Sequence, residues 1–572
     1  MSPNAPAALD GFGEFVRETL DAWKVPGMAV AAVRGGEAMF LEGFGQRDRE
    51  SGLPVTPRTR FALASGTKAF TTMALGMLVD DGRLDWDRPV REYLPSFRLH
   101  DLFASERLTP RDLVTHRAGL PRHDLAWYNA PFDRADLVRR LRFLEPNKDL
   151  RAIWQYQNLM YMTAGYLIEH LTGQTWEMFV RERIFAPLGM DGSNVSVEDS
   201  QASDDFAVPY KEKDEVIARV PFYRQFAVGP AGSINTCAAD MAQWLRLHLG
   251  RGVFNGRRLI SEAQLRDMHT PQMVVQRPAR WAELPHQSYA LGWFVEPYRG
   301  YDLLHHGGNI DGFSTMTTLM PREGLGVVAL ANLDSSPAPW IVCLGAYDRL
   351  LGLEPLPWTA RHKEEVAEYK AAEAKGRETG EAQRVADAPP SHPLEAYAGE
   401  YEHPGYGVLT FELRDGALAA RLNDVAFATR HYHYDTFELA LEQWDVRLLA
   451  TFAANARGDI ETVSAPFEPT VRDIVFARRP DRALRDPAAL RRFTGEYEVL
   501  GRPLSILLIG DTTLVARLPG QPEVELVPRR GAEFLVKGIS GFSVEFVEQD
   551  GAVVEVRITQ AGSTFTAKRR PG

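Results

Sequence analysis

The spacing of apolar and polar residues divides the chain into a mixed first part and an all-β last part. Residues 27–33 are unbroken apolar, and Arg-Gly-Gly joins them to a second strand-like stretch at 38–43, which predicts a hairpin. Apolar residues at helical spacing predict helices at residues 11–23, 61–81, 109–116, 159–172, 175–186 and 238–249. Strand-like stretches return at residues 288–295, 303–306, 314–319 and 326–330. Strands at both ends with helices between them predict one sheet assembled from distant segments.

The composition changes at residues 360–388, where Ala, Glu, Lys and Arg dominate and large apolar residues are almost absent. Such a stretch is a solvated helix or a linker, and Pro389-Pro390 ends it. Short strands and turns follow, and residues 397–401 (YAGEY) recur as residues 493–497 (FTGEY). The repeat predicts two small antiparallel barrels, because closure removes exposed strand edges. The predicted domains are a mixed α+β domain at 1–358, a charged helical linker at 359–390, and barrels at 391–480 and 486–572.

Composition and charge limit the classes of partner. The chain has 572 residues, 45% hydrophobic and 25% charged, which is typical of a globular protein. The formal net charge is −11 and no basic stripe stands out, so we expect no nucleic-acid partner. No run of about 18 apolar residues occurs, so we expect no membrane span. The first residues lack the pattern of a signal peptide, which predicts a cytoplasmic location, with a processed or trimmed periplasmic form as the alternative.

Cysteines and histidines give little sign of a metal site. Cys237 and Cys343 lie among apolar or small residues without a C-x-x-C spacing, which favours two buried thiols. His431 and His433 share one strand face and could bind a metal, but histidines packed on a barrel face are the more common case. We therefore expect no metal and no cofactor.

The first candidate for chemistry is Ser65-Gly-Thr-Lys68, at the start of a predicted helix. Backbone N–H groups are free at a helix N-terminus, and the helix dipole favours negative charge there. Lys68 lies three residues on and therefore on the same helix face. An unprotonated Lys68 could accept the proton of Ser65. The alternative is a capping serine beside a surface lysine.

Two further motifs could complete such a site. Tyr156-Gln-Asn158 offers a phenol that can relay protons and an amide that can hold an amide substrate. His306-Gly307-Gly308 follows a predicted strand, where a glycine allows a substrate backbone to approach closely. Each motif also has a structural interpretation, as a loop tyrosine before a helix or as a strand-to-turn junction.

Together the three motifs, in the order Ser-x-x-Lys, Tyr-x-Asn and His-x-Gly, resemble the class C β-lactamase and penicillin-binding-protein family. Similar family elements occur at residues 113–121 (LVTHRAGLP), 143–146 (FLEP), 185–190 (FAPLGM), and 229–233 (GPAGS) with Asp240. The resemblance runs from about residue 11 to residue 350. It implies a β-lactamase/transpeptidase-like fold, with an antiparallel sheet flanked by helices. The two repeats resemble the lipocalin-like barrels of the D-aminopeptidase branch of the S12 peptidases.

The resemblance implies roles for individual residues. Ser65 would be the nucleophile, Lys68 its activating partner, and Tyr156 a general base or acid.

Four more residues would bind the substrate. Asn158 would orient its amide, and His306 and Gly308 would line the sheet side of the site. The oxyanion would be bound by the N–H groups of Ser65 and Asn309.

The chain also departs from the family pattern. The best-known β-lactamases have Lys-Thr-Gly where this chain has His306-Gly307-Gly308. That lysine helps to hold a substrate carboxylate, and a histidine is largely neutral near pH 7. Efficient lactam hydrolysis is therefore not expected. Glu145-Pro146 precedes Tyr156, which is the wrong order for a class A deacylating glutamate, so we interpret it as a turn.

These observations predict a serine hydrolase that acts through an acyl-enzyme on small peptides or amino-acid amides. It resembles S12 peptidases, some of which are specific for D-amino acids. A carboxylesterase or weak β-lactamase on the same scaffold is one alternative, and a non-catalytic penicillin-binding-like protein is another. The expected partner is a small molecule or short peptide, and homo-oligomerisation is left open.

The last barrel carries one further expectation. Residues 537–541 (KGISG) lie between the strand-like stretches 533–536 and 542–546, which predicts a protruding hairpin tip. In the D-aminopeptidase branch a loop of the last barrel limits access to the site, so the resemblance implies that this tip limits substrate entry. An ordinary barrel turn in solvent is the alternative.

Overall fold

The structure is a computed structural model that describes residues 7–224, 227–480, 484, 486–539, 541–560 and 562–570, without the side chain of Arg530. The chain divides into two compact units. The first unit contains the chain up to Arg384 together with Glu468–Arg472, and the second contains Val385–Phe467 and Asp473–Gly572. Over these described ranges, every helix is too short or too polar to cross a bilayer.

The first unit is built on an antiparallel sheet. Its strands are β1 (Gly27–Arg34), β2 (Glu37–Asp48), β3 (Leu53–Pro54), β4 (Phe61–Ala62), β5 (Tyr210–Lys213), β6 (Val216–Arg219), β7 (Asn235–Thr236), β8 (Val253–Phe254), β9 (Arg257–Arg258), β10 (Met273–Val275), β11 (Gln287–Tyr289), β12 (Phe294–Tyr298), β13 (Tyr301–Ile310), β14 (Phe313–Met320) and β15 (Leu325–Ala331). Nine of the described strands form one sheet in the order β10-β11-β12-β13-β14-β15-β1-β2-β3. The first and last strands of the unit therefore meet at its centre, with Val30 opposite Ala329.

Helices surround this sheet. They are α1 (Phe12–Ala22), α2 (Thr67–Asp80), α3 (Val90–Tyr93), α4 (Leu102–Arg107), α5 (Pro110–Leu113), α6 (Arg134–Arg140), α7 (Leu159–Thr172), α8 (Trp176–Val180), α9 (Ala186–Leu188), α10 (Val197–Gln201), α11 (Gly229–Gly232), α12 (Ala238–Leu249), α13 (Glu262–His269), α14 (Ala338–Leu350) and α15 (Trp358–Ala382). Short 3-10 turns lie at Ala7–Leu9, Ala64–Gly66, Asp124–Ala126 and Leu141–Phe143, and a π turn lies at Arg181–Phe185. Helix α12 packs against β1 and β15, and α14 packs against β14 and β15.

Burial explains why the central strands are apolar without interruption. Every residue of β15 is buried, and so is β1 up to Val33, because helices cover both faces. Glycines let the helices approach closely. A side chain at Gly345 would overlap the Phe15 ring of α1, and one at Gly326 would press on Leu245 of α12. Each fully buried Val or Leu in this layer stabilises the fold by about 1.5–3 kcal/mol.

The second unit contains two closed antiparallel barrels. The first has strands β16 (Gly399–His403), β17 (Gly407–Arg414), β18 (Ala417–Leu422), β19 (Val425–His433), β20 (Thr436–Leu441), β21 (Val446–Ala454), β22 (Ile460–Ala465) and β23 (Ile474–Arg478). The second has strands β24 (Gly495–Val499), β25 (Arg502–Ile509), β26 (Thr513–Arg517), β27 (Val524–Arg530), β28 (Glu533–Val536), β29 (Phe542–Gln549), β30 (Ala552–Gln560) and β31 (Ser563–Arg569). The first barrel is preceded by a 3-10 turn at Leu394–Ala396, and the second is preceded by helix α16 (Pro487–Arg491).

The internal sequence repeat marks the closure of each barrel. In the first barrel, Arg478 of the last strand lies opposite Tyr401 of the first and over its ring, and it donates to the Ala396 carbonyl at 2.7 Å. In the second, Arg569 lies opposite Tyr497 in the same way. Gly399, with φ 148°, leaves room for the guanidinium, since a Cβ there would lie 3.1 Å from Arg478 Nη2. The repeated GEY motif is therefore a closure device.

The secondary structure confirms most of the predicted elements and corrects three. The helix predicted at 61–81 begins only at Thr67, because Phe61–Ala62 is a strand and Ala64–Gly66 is a 3-10 turn. The hairpin β1–β2, the helices at 159–172 and 238–249, and both strands around the predicted hairpin tip are present; Ser540 of the tip lies outside the described residues. The single strand predicted at 288–295 is wrong, because β11 and β12 are separated there by Gly292 (φ 85°), which packs against α2. The predicted helix at 109–116 ends at Leu113, and the residues after it form the loop that leads to the site.

Candidate active site

The candidate nucleophile lies on a tight turn between a short strand and a buried helix. Strand β4 leads into the turn Ala64–Gly66, and α2 begins at Thr67. Ala64 has a left-handed backbone with φ 50°, which is costly for a residue with a Cβ and is typical of functional turns. Ser65 itself is partly exposed. The turn therefore leaves Ser65 partly accessible just before the start of α2.

Lys68 is completely buried. It is the one charged residue in the first thirteen positions of α2, a helix whose residues from Thr67 to Leu78 are all buried. Its Nζ lies 3.0 Å from Ser65 Oγ, 2.8 Å from Asn158 Oδ1 and 2.8 Å from the Ala231 carbonyl oxygen. The alternative of a surface lysine is thus wrong.

A protonated Lys68 would donate to all three of these oxygens. Once the amine is neutral it has two hydrogens, for Asn158 and Ala231, and its lone pair can accept from the Ser65 hydroxyl. Burial, and secondarily the positive charge of Arg122, hold the pKa of Lys68 well below its usual value. Lys68 is therefore suited to take the proton of Ser65.

Tyr156 lies beside Lys68 and Ser65. Its ring centre lies 4.9 Å from Lys68 Nζ, and the Ser65 hydroxyl is close enough to influence its pKa. Burial of the phenol is the main effect and raises its pKa to about 12. The phenol therefore carries its proton at neutral pH, which makes it a donor or relay and not an anionic base.

A buried histidine holds Tyr156 in place. The carbonyl of His116 accepts the Gln155 N–H at 2.7 Å, and its Nδ1 accepts the Gln157 N–H at 3.3 Å, so both neighbours of Tyr156 are fixed. The ring centroids of His116 and Tyr156 are 4.3 Å apart. Burial holds the pKa of His116 well below its usual value, so the imidazole is neutral. His116 belongs to the LVTHRAGLP stretch, but its role was missed from the sequence.

The sheet side of the site is formed by β13. Gly308 lies against the Ser65 turn, because a Cβ there would overlap the Leu63 carbonyl and lie 3.1 Å from Ala64. The Asn309 side chain is bonded to the loop after β15, accepting from the Ser335 N–H at 2.8 Å and donating to Asp334 at 3.1 Å. The strand therefore brings the backbone of residues 308–309 beside Ser65.

His306 is a buried member of the same strand, with 2% of its surface exposed. Its Nε2 lies 3.1 Å from the Tyr289 hydroxyl, and its ring centroid lies 6.2 Å from that of Tyr156. Burial, with a smaller contribution from Lys68, lowers the pKa of His306 to about 3. The imidazole is therefore neutral and offers no positive charge to a substrate carboxylate.

A loop that sequence reasoning did not single out contacts Tyr156 and Asn158. The Arg122 guanidinium lies 5.4 Å from the centre of the Tyr156 ring and 2.5 Å from Asp124 Oδ2. Asp124 Oδ1 in turn lies 3.5 Å from Asn158 Nδ2. The two residues follow the GLP of the quoted stretch directly, but nothing in their spacing signals a place in the site.

Glu468 also belongs to this part of the molecule. It is buried, with 5% of its surface exposed, and it accepts the His123 backbone N–H at 3.0 Å. The segment Glu468–Arg472, which lies between β22 and β23 in the sequence, is part of the first unit. No sequence pattern could have found it, since the contact spans 345 residues.

His431 and His433, which were interpreted as barrel-face residues with metal binding as the alternative, both contact backbone groups. His431 Nε2 lies 2.8 Å from the Tyr434 carbonyl oxygen, and His433 Nδ1 accepts the Val385 N–H at 3.2 Å. Within the described residues, no three His, Cys, Asp or Glu side chains are grouped as metal ligands. Cys237 and Cys343 are both buried and free.

Glu145, which was interpreted from the sequence as part of a turn, forms an ion pair with Arg472 at 2.6 Å.

Comparisons with known proteins agree with this geometry. The family model described as "Beta-lactamase" matches residues 12–348, and "Domain of unknown function (DUF3471)" matches residues 383–478. The "Unguisins hydrolase ungD'" of Aspergillus campestris is 33% identical over 417 residues, which cover 70% of this chain and 77% of that protein. The "Unguisins hydrolase ungD" of Aspergillus violaceofuscus is 30% identical over 461 residues, 74% of this chain and 81% of that protein.

A solved structure shows the same fold. The octameric penicillin-binding protein homologue from Pyrococcus abyssi superposes with a TM-score of 0.56 at 22% identity, and the match covers 82% of this chain and 99% of that one. The family match spans more than half of the chain and includes the Ser65 turn, α7 and β13. The chain therefore belongs to the β-lactamase family, and two closed antiparallel barrels follow the family fold.

Proposed function

We propose that this protein is a serine hydrolase that forms an acyl-enzyme on Ser65 and cleaves amide bonds of small peptides or amino-acid amides. The observation that carries the proposal is the hydrogen bonding of Lys68. Its fully buried Nζ lies 3.0 Å from the Ser65 hydroxyl and 2.8 Å from two further acceptors, and burial lowers its pKa. The amine in its neutral form can therefore take the proton of Ser65.

The acylation step follows from these positions. Ser65 Oγ bonds to the substrate carbonyl carbon while its proton moves to Lys68 Nζ. The negative charge that develops on the carbonyl oxygen is stabilised by the N–H groups of Ser65 and Asn309. When the C–N bond breaks, the leaving nitrogen takes the phenolic proton of Tyr156, and the Lys68 ammonium restores it. In deacylation, water repeats these steps in reverse order.

The substrate class is inferred from the walls of the cleft. Asn158 lies beside Lys68 and would hold the substrate amide, as the family resemblance implies. The buried His306 imidazole, close to Tyr156, carries no positive charge, since its pKa is about 3. Substrates that depend on a carboxylate anchor, such as penicillins, are therefore disfavoured. We propose amides of D-amino acids, the substrates of some S12 peptidases, as the more specific substrate class. Two relatives are named hydrolases, which supports hydrolysis as the class of reaction.

Ester hydrolysis is a second candidate, because a neutral His306 is compatible with esters that carry no carboxylate. The alcohol or phenol of an ester leaves more readily than the nitrogen of an amide, which must be protonated first. An ester therefore depends less on proton donation by Tyr156. A non-catalytic binding protein is the alternative from another class.

A substrate panel tests the proposal. D- and L-aminoacyl p-nitroanilides, p-nitrophenyl esters and nitrocefin are compared for the wild-type protein and Ser65→Ala, with circular dichroism as the control for folding. We expect turnover of anilides or esters, poor nitrocefin hydrolysis, and loss of turnover by about 10³-fold or more in the variant. Intact mass measured after a fluorophosphonate should show one adduct, absent in Ser65→Ala. A folded wild-type protein without adduct or turnover would support the binding protein instead.

A further inference from the structure

The segment Glu468–Arg472 is part of the first unit although the strands on either side of it in the sequence belong to a barrel. Two of its residues contact other parts of the first unit, one in the interior and one at the surface. Glu468 is buried and accepts the His123 N–H, while Arg472 lies at the surface and pairs with Glu145 at 2.6 Å, with 85% of its side chain exposed. The buried contact and the surface contact can be tested separately.

The Glu468 carboxylate is well supplied with donors. Its Oε2 accepts the His123 N–H at 3.0 Å, and its Oε1 accepts the Thr470 hydroxyl at 2.6 Å and the Thr470 N–H at 3.3 Å. It also faces the positive charge of Arg122. A buried carboxylate is costly unless it is hydrogen-bonded and charge-compensated, so these contacts fix where Glu468 lies.

His123 is the residue on which this carboxylate acts. Its backbone is left-handed, with φ 45°, a strained conformation for a residue with a side chain. Its ring Nε2 lies 2.9 Å from the Glu145 carbonyl oxygen, so His123 is held from two sides. Its neighbours in sequence are Arg122, which lies over the Tyr156 ring, and Asp124, which lies beside Asn158. What fixes His123 therefore fixes both.

We propose that Glu468 is a positioning residue of the hydrolytic site, which holds the Arg122–Asp124 turn against Tyr156 and Asn158. The inference rests on the proposed function and extends it: the site is incomplete without a residue from beyond the β-lactamase family match, which ends at residue 348.

The turn acts on the catalytic groups through charge as well as through contact. Arg122 lowers the pKa of both Lys68 and Tyr156, and Asp124 acts in the opposite direction on each. If the turn loosens, the guanidinium moves away, and the pKa of Lys68 rises toward its usual value. The groups that face Lys68 are Arg122, Asp124, His116, His306, Tyr156 and Tyr161. Of these, Arg122 and Asp124 are the charged ones at neutral pH, and both lie on the turn that Glu468 holds.

Three single variants of the full-length chain separate positioning from simple stability. Glu468→Ala removes the acceptor for the His123 N–H. Glu468→Gln keeps one acceptor oxygen for the His123 N–H, and its amide group can donate to the Thr470 hydroxyl, from which the carboxylate accepts. Arg472→Gln is the matched control, because it removes the surface contact of the same segment.

We expect Glu468→Ala to lower kcat by about tenfold or more with KM changed by less than about threefold, since small misplacements of catalytic groups are costly. Its acidic limb of kcat/KM should move to higher pH. Glu468→Gln should recover most of kcat, and Arg472→Gln should match the wild type. An unchanged kcat and acidic limb in Glu468→Ala would overturn the proposal. Equal losses in all three variants, in step with a lower Tm, would also overturn it, because they indicate a structural role.

Hydrogen exchange gives a readout that needs no turnover. Amide exchange of a peptide that covers residues 121–125 should be faster in Glu468→Ala than in the wild type or Arg472→Gln. If the wild type hydrolyses nothing in the panel, the proposed function fails, and this measurement still decides whether Glu468 holds the turn. Identical exchange in all proteins would show that it does not.

Discussion

At the scale of single residues, the site depends on how burial sets protonation. Desolvation disfavours the charged form of each group, so it lowers the pKa of Lys68 and His306 and raises that of Tyr156. The pKa of Tyr156 is raised to about 12, so the phenol keeps its proton at neutral pH. Of the two candidates for a general base, Lys68 is the one whose pKa shift favours the proton-accepting form.

Lys68 and Tyr156 should therefore act as one proton-transfer unit. We expect Lys68→Ala and Tyr156→Phe each to slow acylation by about 10²–10⁴-fold, the usual contribution of general acid–base catalysis. The double variant should lose much less than the product of the two factors, because either change breaks the same relay. Stopped-flow acylation with a p-nitrophenyl ester measures all four proteins. Additive losses, or near wild-type rates in either single variant, would show that the two groups work independently.

Arg122 should set the pH range of the reaction. Its positive charge lowers the pKa of Lys68, so its removal raises that pKa, and a higher pH is needed to obtain the neutral amine. For Arg122→Gln we expect the acidic limb of kcat/KM to move to higher pH, with rates that converge toward wild type above the limb. Arg122→Lys keeps the charge and is the control. A shift in the opposite direction, or the same shift in the control, would contradict the electrostatic role.

At the scale of secondary-structure elements, close approach of backbones positions the site. Helix α11 reaches α7 because Gly165 leaves room for Pro230, and this contact brings the Ala231 carbonyl to within 2.8 Å of Lys68 Nζ. Strand β13 reaches the Ser65 turn because Gly308 has no side chain, and the Thr315 hydroxyl donates to the Leu63 carbonyl at 3.0 Å beside it. Glycine is therefore a packing requirement at both positions. At Gly308, which was predicted to admit a substrate backbone, the space that a side chain would fill is taken by the Ser65 turn.

Gly308→Ala should damage the site and the fold together. The new Cβ would overlap the Leu63 carbonyl, so β13 or the Ser65 turn must move, at a cost of about 1–3 kcal/mol in the free energy of unfolding. A shift of about 1 Å at the nucleophile can cost about 10²-fold in kcat/KM. Gly307→Ala is the control, because its Cβ would lie 3.1 Å from the flexible end of Met316. Denaturant unfolding and ester turnover measure both effects. Equal effects of the two variants would argue against the close approach.

At the scale of the whole molecule, the sequence predicts what depends on local spacing and misses what depends on distant contacts. The i to i+3 spacing of Ser65 and Lys68 places them on one helix face, and the repeated GEY motif predicts the two barrels. The resemblance to the family predicted that α2, α7 and β13 meet at one site, whereas the periodicity of the sequence does not predict it. Glu468 has no signal at all, since it lies 345 residues from its partner His123.

Two truncations separate the roles of the C-terminal barrels. A chain that ends after Pro480 keeps Glu468 and removes the second barrel, which has a core of its own around Phe534 and Phe546. The ion pairs lost from the first barrel, among them Arg457–Glu533 at 2.6 Å, are partly exposed and contribute about 0–1 kcal/mol each. We therefore expect this protein to fold, as checked by circular dichroism, and to keep kcat/KM on small esters within about threefold of the full-length value.

A chain that ends after Ala388 lacks Glu468 as well, so its ester kcat should fall by about tenfold or more, as in Glu468→Ala. Comparison of peptide anilides of increasing length then tests the hairpin tip at residues 537–541. If the tip limits entry, the chain that ends after Pro480 should accept longer peptides than the full-length protein while its ester rate stays the same. Unchanged length selectivity would mean that the second barrel serves stability or assembly. Loss of ester activity in a folded chain that ends after Pro480 would contradict the assignment to Glu468, because that residue is still present.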